Sequence, residues 1–134
     1  MNSMKYLFTA LAIMPTLLFT QHSQANTVQI CKFVAAEMRK TLPLRKDNVT
    51  VIRSVDCILS KPKHRLVHIV EVSIPVETLR QIDVNRDIKP SVLTTYCTDP
   101  AIRATLNAYD VDYRYYTQTG AFGGSFLMKS SECR

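Results

Sequence analysis

Several signatures that would fix a chemistry are missing from this 134-residue chain. It has no CxxC pair, which argues against a thioredoxin-type exchange site, and its four cysteines are spaced too widely for a zinc knuckle. No serine, cysteine or threonine stands in a nucleophile motif. Glycine is scarce: Gly120, Gly123 and Gly124 are the whole set, and no lysine and helix follow them in the register of a phosphate loop. Beyond Thr20 no apolar run approaches the roughly 20 residues that a membrane span needs. No internal repeat, linker or low-complexity segment interrupts the chain.

What is present begins with an export signal. Lys5 supplies a positive start, Tyr6 to Thr20 is almost wholly apolar, and Ser23-Gln24-Ala25 offers a small–x–small cleavage pattern. Residues 1–25 are therefore expected to be a signal peptide cut after Ala25, leaving a single small domain over residues 26–134. A lipid anchor would need a cysteine directly after the apolar run, and Cys31 lies beyond it. Export leads to an oxidising compartment, so Cys31, Cys57, Cys97 and Cys133 read as two disulfides. Each would contribute roughly 2–4 kcal/mol to a domain whose core is modest. Asn48-Val49-Thr50 matches a glycosylation sequon, relevant only in a eukaryotic secretory pathway; the short, sparsely charged leader fits a periplasmic or secreted bacterial protein as well.

Periodicity supplies the elements. Ile30, Val34, Met38 and Leu42, with Cys31 and Ala35 beside them, form one helical stripe that starts near a cap at Asn26 or Thr27 and stops at Pro43. The period then changes to two: Val49, Val51, Val55, Cys57 and Leu59 alternate with polar residues, with Arg53 breaking the apolar face. Ser60-Lys61-Pro62-Lys63-His64 is a turn and Arg65 to Ile74 a second strand-like run, so the pair reads as a hairpin with a cationic tip. Pro75 opens a helix to about Ile82, Asp87 can cap another through Tyr96, and Asp99-Pro100 starts a third to about Asn107. Tyr109, Val111, Tyr113 and Tyr115 share one face of a last hairpin, with Asp110, Asp112 and Arg114 on the other and a turn at Thr117 to Gly120. The order predicts an α+β fold: an antiparallel β-sheet of about four strands, in two hairpins, packed against a layer of three or four helices and stabilised by disulfides. Four cysteines allow three pairings. Cys31–Cys57 would staple the first helix to the sheet and Cys97–Cys133 would tie the last strand to the helical layer, while a crossed pairing stays open.

Charge is the most uneven property. Arg39, Lys40, Arg45, Lys46, Arg53, Lys61, Lys63 and Arg65 face only Asp47 and Asp56 in the same segment, and the chain after Arg65 is near neutral. One reading is a solvated basic face; the other is an electrostatic footprint for an anionic partner. Outside the cytoplasm that partner would be an anionic envelope component or an acidic protein rather than nucleic acid. The expected contact surface is Arg39, Lys40, Arg45, Lys46, Lys61, Lys63, His64 and Arg65, with membrane contact at most peripheral.

Other constellations each have a plain structural reading. His64 and His68 have zinc-ligand spacing for a helix, but in a turn and strand they lie about 13 Å apart. Asp110 and Asp112, about 7 Å apart on one strand face, are within range of paired catalytic carboxylates, and equally of a polar outer face. Gly123-Gly124 reads as a bulge or close backbone approach, or as an edge kept open for another chain to pair against. Tyr116, on the polar face, is the tyrosine best placed for an exposed contact. The sequence from Tyr113-Arg114-Tyr115-Tyr116 through Gly120 and Phe126 to a final cysteine resembles the endings of small exported bacterial proteins of unassigned role, over the last third of the chain, and it implies no residue role.

These readings name no catalytic residue, metal ligand or cofactor. The leading expectation is an exported non-enzymatic binding or accessory protein with a basic contact surface. The alternative is a dedicated protein-partner module: a secretion-assembly factor, an inhibitor or an immunity protein. A small envelope hydrolase ranks third and would need Asp110, Asp112 or His68 to converge in a cleft. Oligomeric state is not legible.

Overall fold

A computed structural model describes residues 28–134. The expected leader, residues 1–25, and the first helix's cap at Asn26 or Thr27 lie outside the described residues. Helix α1 (Val28–Arg39) buries Cys31, Val34, Ala35 and Met38, the stripe that its spacing predicts. It ends before Leu42 because Lys40, Thr41 and Leu42 donate backbone hydrogen bonds to Glu37, Met38 and Arg39, three residues back, and this tightens the last turn ahead of Pro43. The connection that follows contains a two-residue strand, β1 (Leu44–Arg45), where no strand-like alternation is present in the sequence.

Strands β2 (Thr50–Ile58) and β3 (Arg65–Val72) form the first hairpin. The pattern break at Arg53 is a bulge: the register shifts between Ile52 and Ser54. The inward set therefore changes parity, from Ile52 before the bulge to Val55 and Cys57 after it. A helical excursion follows: α2 (Val76–Gln81), a π-helical turn (Val84–Ile88), α3 (Lys89–Thr98) and α4 (Pro100–Ala108). Asp99 caps α4 by accepting from the Ala101 N–H at 3.0 Å. Ahead of α3 the capping carboxylate is Asp83, which accepts from the Arg86 N–H, rather than Asp87. Strands β4 (Asp110–Thr117) and β5 (Phe122–Met128) make the final hairpin.

The sheet has five strands in the order β1-β2-β3-β4-β5. It is not wholly antiparallel: β3 and β4, the inner strands of the two hairpins, run parallel, Arg65 beside Asp110 through Val72 beside Thr117. The physical reason is the long helical crossover, which returns the chain to the end of the sheet where β3 began. Among the described residues four α-helices complete the α+β architecture.

Among the described residues, helices pack on one face only. The strand residues of the core cluster are all from the inner set, among them Val55, Leu66, Val70, Val111, Tyr113, Phe126 and Met128, and they meet Val34, Met38, Val92, Tyr96, Ile102 and Leu106 from the helices. At its centre the His68 and Phe126 rings stack against Tyr113 at centroid distances of 4.5 and 5.3 Å, and the Tyr96 and Tyr113 hydroxyls share a hydrogen bond of 2.9 Å. The cysteines pair as Cys31–Cys57 and Cys97–Cys133. The first joins α1 to β2, and the second joins α3 to the chain end beyond β5.

Candidate functional site

The sheet's other face carries side chains instead of helices. Strict alternation sends Arg65, Val67, Ile69 and Glu71 of β3, and Asp110, Asp112, Arg114 and Tyr116 of β4, to this outer face. Parallel register sets Arg65 beside Asp110 and Val67 beside Asp112. Across the last hairpin Leu127, Ser125 and Phe122 lie beside Asp112, Arg114 and Tyr116. Val67 is 2% exposed although it lies outside the core cluster.

Those side chains form a charged lattice. Arg114 donates from Nε and Nη2 to one Asp112 oxygen at 3.3 and 3.2 Å, and Arg65 Nη1 lies 3.6 Å from the same oxygen. Arg53 pairs with Glu71 at 3.0 Å, and Lys129 approaches Asp110 at 4.0 Å. The Asp112 side chain is only 7% exposed, against 32% for Arg65 and 34% for Arg114. One buried carboxylate thus anchors two guanidiniums and leaves a surplus positive charge. Arg65 Nε is buried without a hydrogen-bond partner, and such an orphan donor costs about 1–3 kcal/mol.

An open groove of about 580 Å³ runs over this cluster. Arg65, Asp112 and Arg114 line its floor, Tyr116 and Phe122 one end, and Asn85 of the π-helical turn reaches it from the helical layer. Because Asn85 and Arg114 belong to opposite faces, the groove wraps the free edge of β5. The edge is shaped by a bulge between Tyr115 and Tyr116, opposite which Gly123 is the extra residue. A methyl on Gly123 would overlap the Leu79 side chain of α2. The bulge with close backbone approach is therefore what the structure shows at Gly123, on a strand that lies at the edge of the sheet.

The expected basic surface is divided. Arg39 Nη1 donates to the Val55 carbonyl at 2.6 Å and to Asp56 at 2.9 Å, beside the middle of β2. Lys40 pairs with Glu37 at 2.9 Å. Arg45 is opposite Val51 and donates to the Asp47 and Asn48 carbonyls; burial lowers the Lys46 amine from its ordinary value, with Asp47 acting the other way. Lys61, Lys63 and His64 lie at the other end of β2, beyond Ile58, where Lys63 reaches Ser130 at 2.9 Å and His64 Nδ1 accepts from the Ser60 N–H at 3.4 Å. From Val51 to Ile58 the strand spans roughly 23 Å. The fold brings Lys61, Lys63 and His64 together, sets Arg45 and Lys46 far from them, and assigns Arg65 to the groove.

His68, Asp110 and Asp112 do not converge. His68 is in the core on the inner face and the two aspartates are on the outer face, so the cleft that a hydrolase would need from these residues does not form. His64 and His68 are likewise apart, and no cluster of metal-ligating side chains occurs among the described residues. Of the groove residues only Arg65, Asp112 and Tyr116 stand out in the sequence; Asn85, Arg114, Phe122, Ser125, Phe126 and Leu127 do not. The available signals were Tyr116 on the polar face and the glycine pair beside it.

No family model matches the chain, and no curated protein matches it in sequence. Solved structures do resemble it. A Pseudomonas aeruginosa protein assigned as secreted is 15% identical with a TM-score of 0.58, over 79% of this chain and 91% of that one. The pilotin from the Vibrio vulnificus type 2 secretion system is 14% identical with a TM-score of 0.53, over 79% and 90%. The type II secretion system pilotin from Vibrio cholerae is 14% identical with a TM-score of 0.52, over 78% and 90%. At such identities the likeness establishes a shared fold.

Proposed function

We propose that this chain is an exported accessory protein that acts by binding a protein partner in a secretion or envelope assembly, without catalysing a reaction. The observation that carries the reading is the one-sided sheet: helices cover the inner face, while the outer face and the β5 edge present a polar groove. Two pilotins of type 2 secretion systems have this fold, and that favours the secretion-assembly form of the partner-binding alternative. The two disulfides fit a periplasmic or secreted location, with residues 1–25 as the leader and 26–134 as the single domain. Within this reading Arg39, Lys40, Arg45, Lys46, Lys61, Lys63 and His64 supply long-range attraction to an anionic surface or acidic partner, which speeds encounter more than it strengthens the final complex.

The test is in-cell crosslinking of the full chain, tagged after Arg134, in its source organism, followed by mass spectrometry. One dominant protein of the secretion or envelope machinery is expected. Absence of any crosslinked protein above a tag-only control, or turnover of cell-wall or lipid substrate by the purified oxidised protein, overturns the reading.

A further inference from the structure

We infer that the groove over the free edge of β5 docks an extended, acidic segment of the protein partner: its backbone adds a sixth strand beside β5, and one glutamate carboxylate is taken by Arg114 and Arg65. The inference rests on the partner-binding reading above and states what the partner must present.

The two edges of the sheet are treated differently. β1 is two residues long, follows Pro43 and carries Arg45, so it offers almost nothing to an incoming strand. β5 is seven residues long and has no charge and no proline from Phe122 to Met128. Among the described residues it pairs only with β4. An uncharged terminal strand that pairs on one side only is the kind of edge β-augmentation uses.

Side chains define the occupant's chemistry. Arg65 and Arg114 share the single carboxylate of Asp112, so the cluster keeps a surplus positive charge and rejects a cation. At 3.6 Å the Arg65 contact is an ion pair too long for a hydrogen bond. The two guanidiniums are held by Asp112 and stay about one-third exposed, and their outward-facing nitrogens match the paired oxygens of a carboxylate. A strand added to β5 would lie about 10 Å from β4. The residue between them on the outer face is Ser125, beside Arg114 and small enough to let a glutamate reach in and the guanidinium reach out. Tyr116 and Phe122, tilted against each other at 5.4 Å, close the end of the groove, and Phe122 is 47% exposed. They would receive an apolar side chain on the same face of the incoming strand. The segment is thus extended, with glutamate and an apolar residue on one face.

The experiment titrates the ¹⁵N-labelled, oxidised protein with two synthetic nonapeptides, one alternating threonine and glutamate around a central valine, the other with lysine for every glutamate. Expected are saturable shifts confined to the amides of Phe122–Met128 and the Arg114 side chain, with the glutamate peptide at least tenfold tighter. Arg65→Gln with Arg114→Gln should weaken it at least tenfold. Because those substitutions strip partners from buried Asp112, Ser125→Glu provides a second variant that keeps both arginines: it should repel the glutamate peptide and improve the lysine peptide. Equal affinity for the two peptides, shifts centred on Lys61–His64, or no saturation at millimolar peptide overturns the groove assignment. A partner still crosslinked by the Ser125→Glu variant as well as by the parent also overturns it while leaving the accessory role intact; absence of any crosslinked partner strikes the accessory role itself.

Discussion

His68 is the residue at which the core is most sensitive to pH. It sits on the inner face of β3, 1% exposed, with its ring stacked on Tyr113. Burial pushes its pKa down to about 4, and neither ring nitrogen has a hydrogen-bond partner to oppose this. Burial also raises the neighbouring Tyr113 hydroxyl well above its ordinary range, so this aromatic stack is neutral throughout the physiological range. An unfolded chain would protonate the same histidine near pH 6.5. Above that pH neither state carries the proton, so the histidine adds no pH dependence. Between pH 6.5 and about 4 the unfolded state binds more protons, so stability falls as pH falls, by at most about 1.4 kcal/mol per pH unit and roughly 3 kcal/mol across the window. His68→Phe keeps a flat ring against Tyr113 and removes the titration. Urea unfolding at pH 7 and pH 4.5 should show a smaller acid loss in that variant than in the parent. An unchanged acid loss would mean that His68 is not its source.

At the scale of elements, the contact between α2 and β5 explains why the last strand contains glycine. Gly123 is the bulged residue opposite Tyr115 and Tyr116, and Leu79, 2% exposed, occupies the space that a side chain there would need. Gly123→Ala should destabilise by about 1–3 kcal/mol through overpacking. Leu79→Ala alone should cost about 2–5 kcal/mol through the cavity it leaves. Made together, the two should cost less than their sum, because each relieves the other; strict additivity in thermal unfolding would mean that helix and strand do not meet there. Local features of this kind were legible in the sequence. The α1 stripe, the Asp99-Pro100 cap, the inward tyrosines of β4 and the break at Arg53 all depend on near neighbours along the chain. The parallel pairing of β3 with β4 was not legible, because nothing inside either strand specifies which neighbour a crossover will deliver. The groove depends on that pairing: Arg65 had been counted with the basic tip and Asp112 with a possible acid pair, and only the fold makes them partners.

The whole molecule distributes its charge along one axis. The basic segment between Arg39 and Arg65 is laid out along β2, with Arg45 near one end and Lys61 past the other, more than 20 Å apart by strand geometry. At physiological ionic strength screening acts over about 8 Å, so the two ends cannot sense one another's charge through solvent and should act as separate, weak attractors. Each basic residue near an anionic membrane contributes about 1 kcal/mol, and reversing one charge should weaken binding roughly five- to thirty-fold. Co-sedimentation with phosphatidylglycerol vesicles is the measurement. Arg45→Glu and Lys61→Glu should each weaken binding by comparable factors, and in the double variant the factors should multiply, with all binding lost at about 0.5 M salt. If one substitution removes the binding and the other adds nothing, a single end makes the contact. If the parent does not bind vesicles at all, the basic residues serve an acidic protein, and the two reversals should instead slow association with the crosslinked partner while leaving its dissociation rate unchanged.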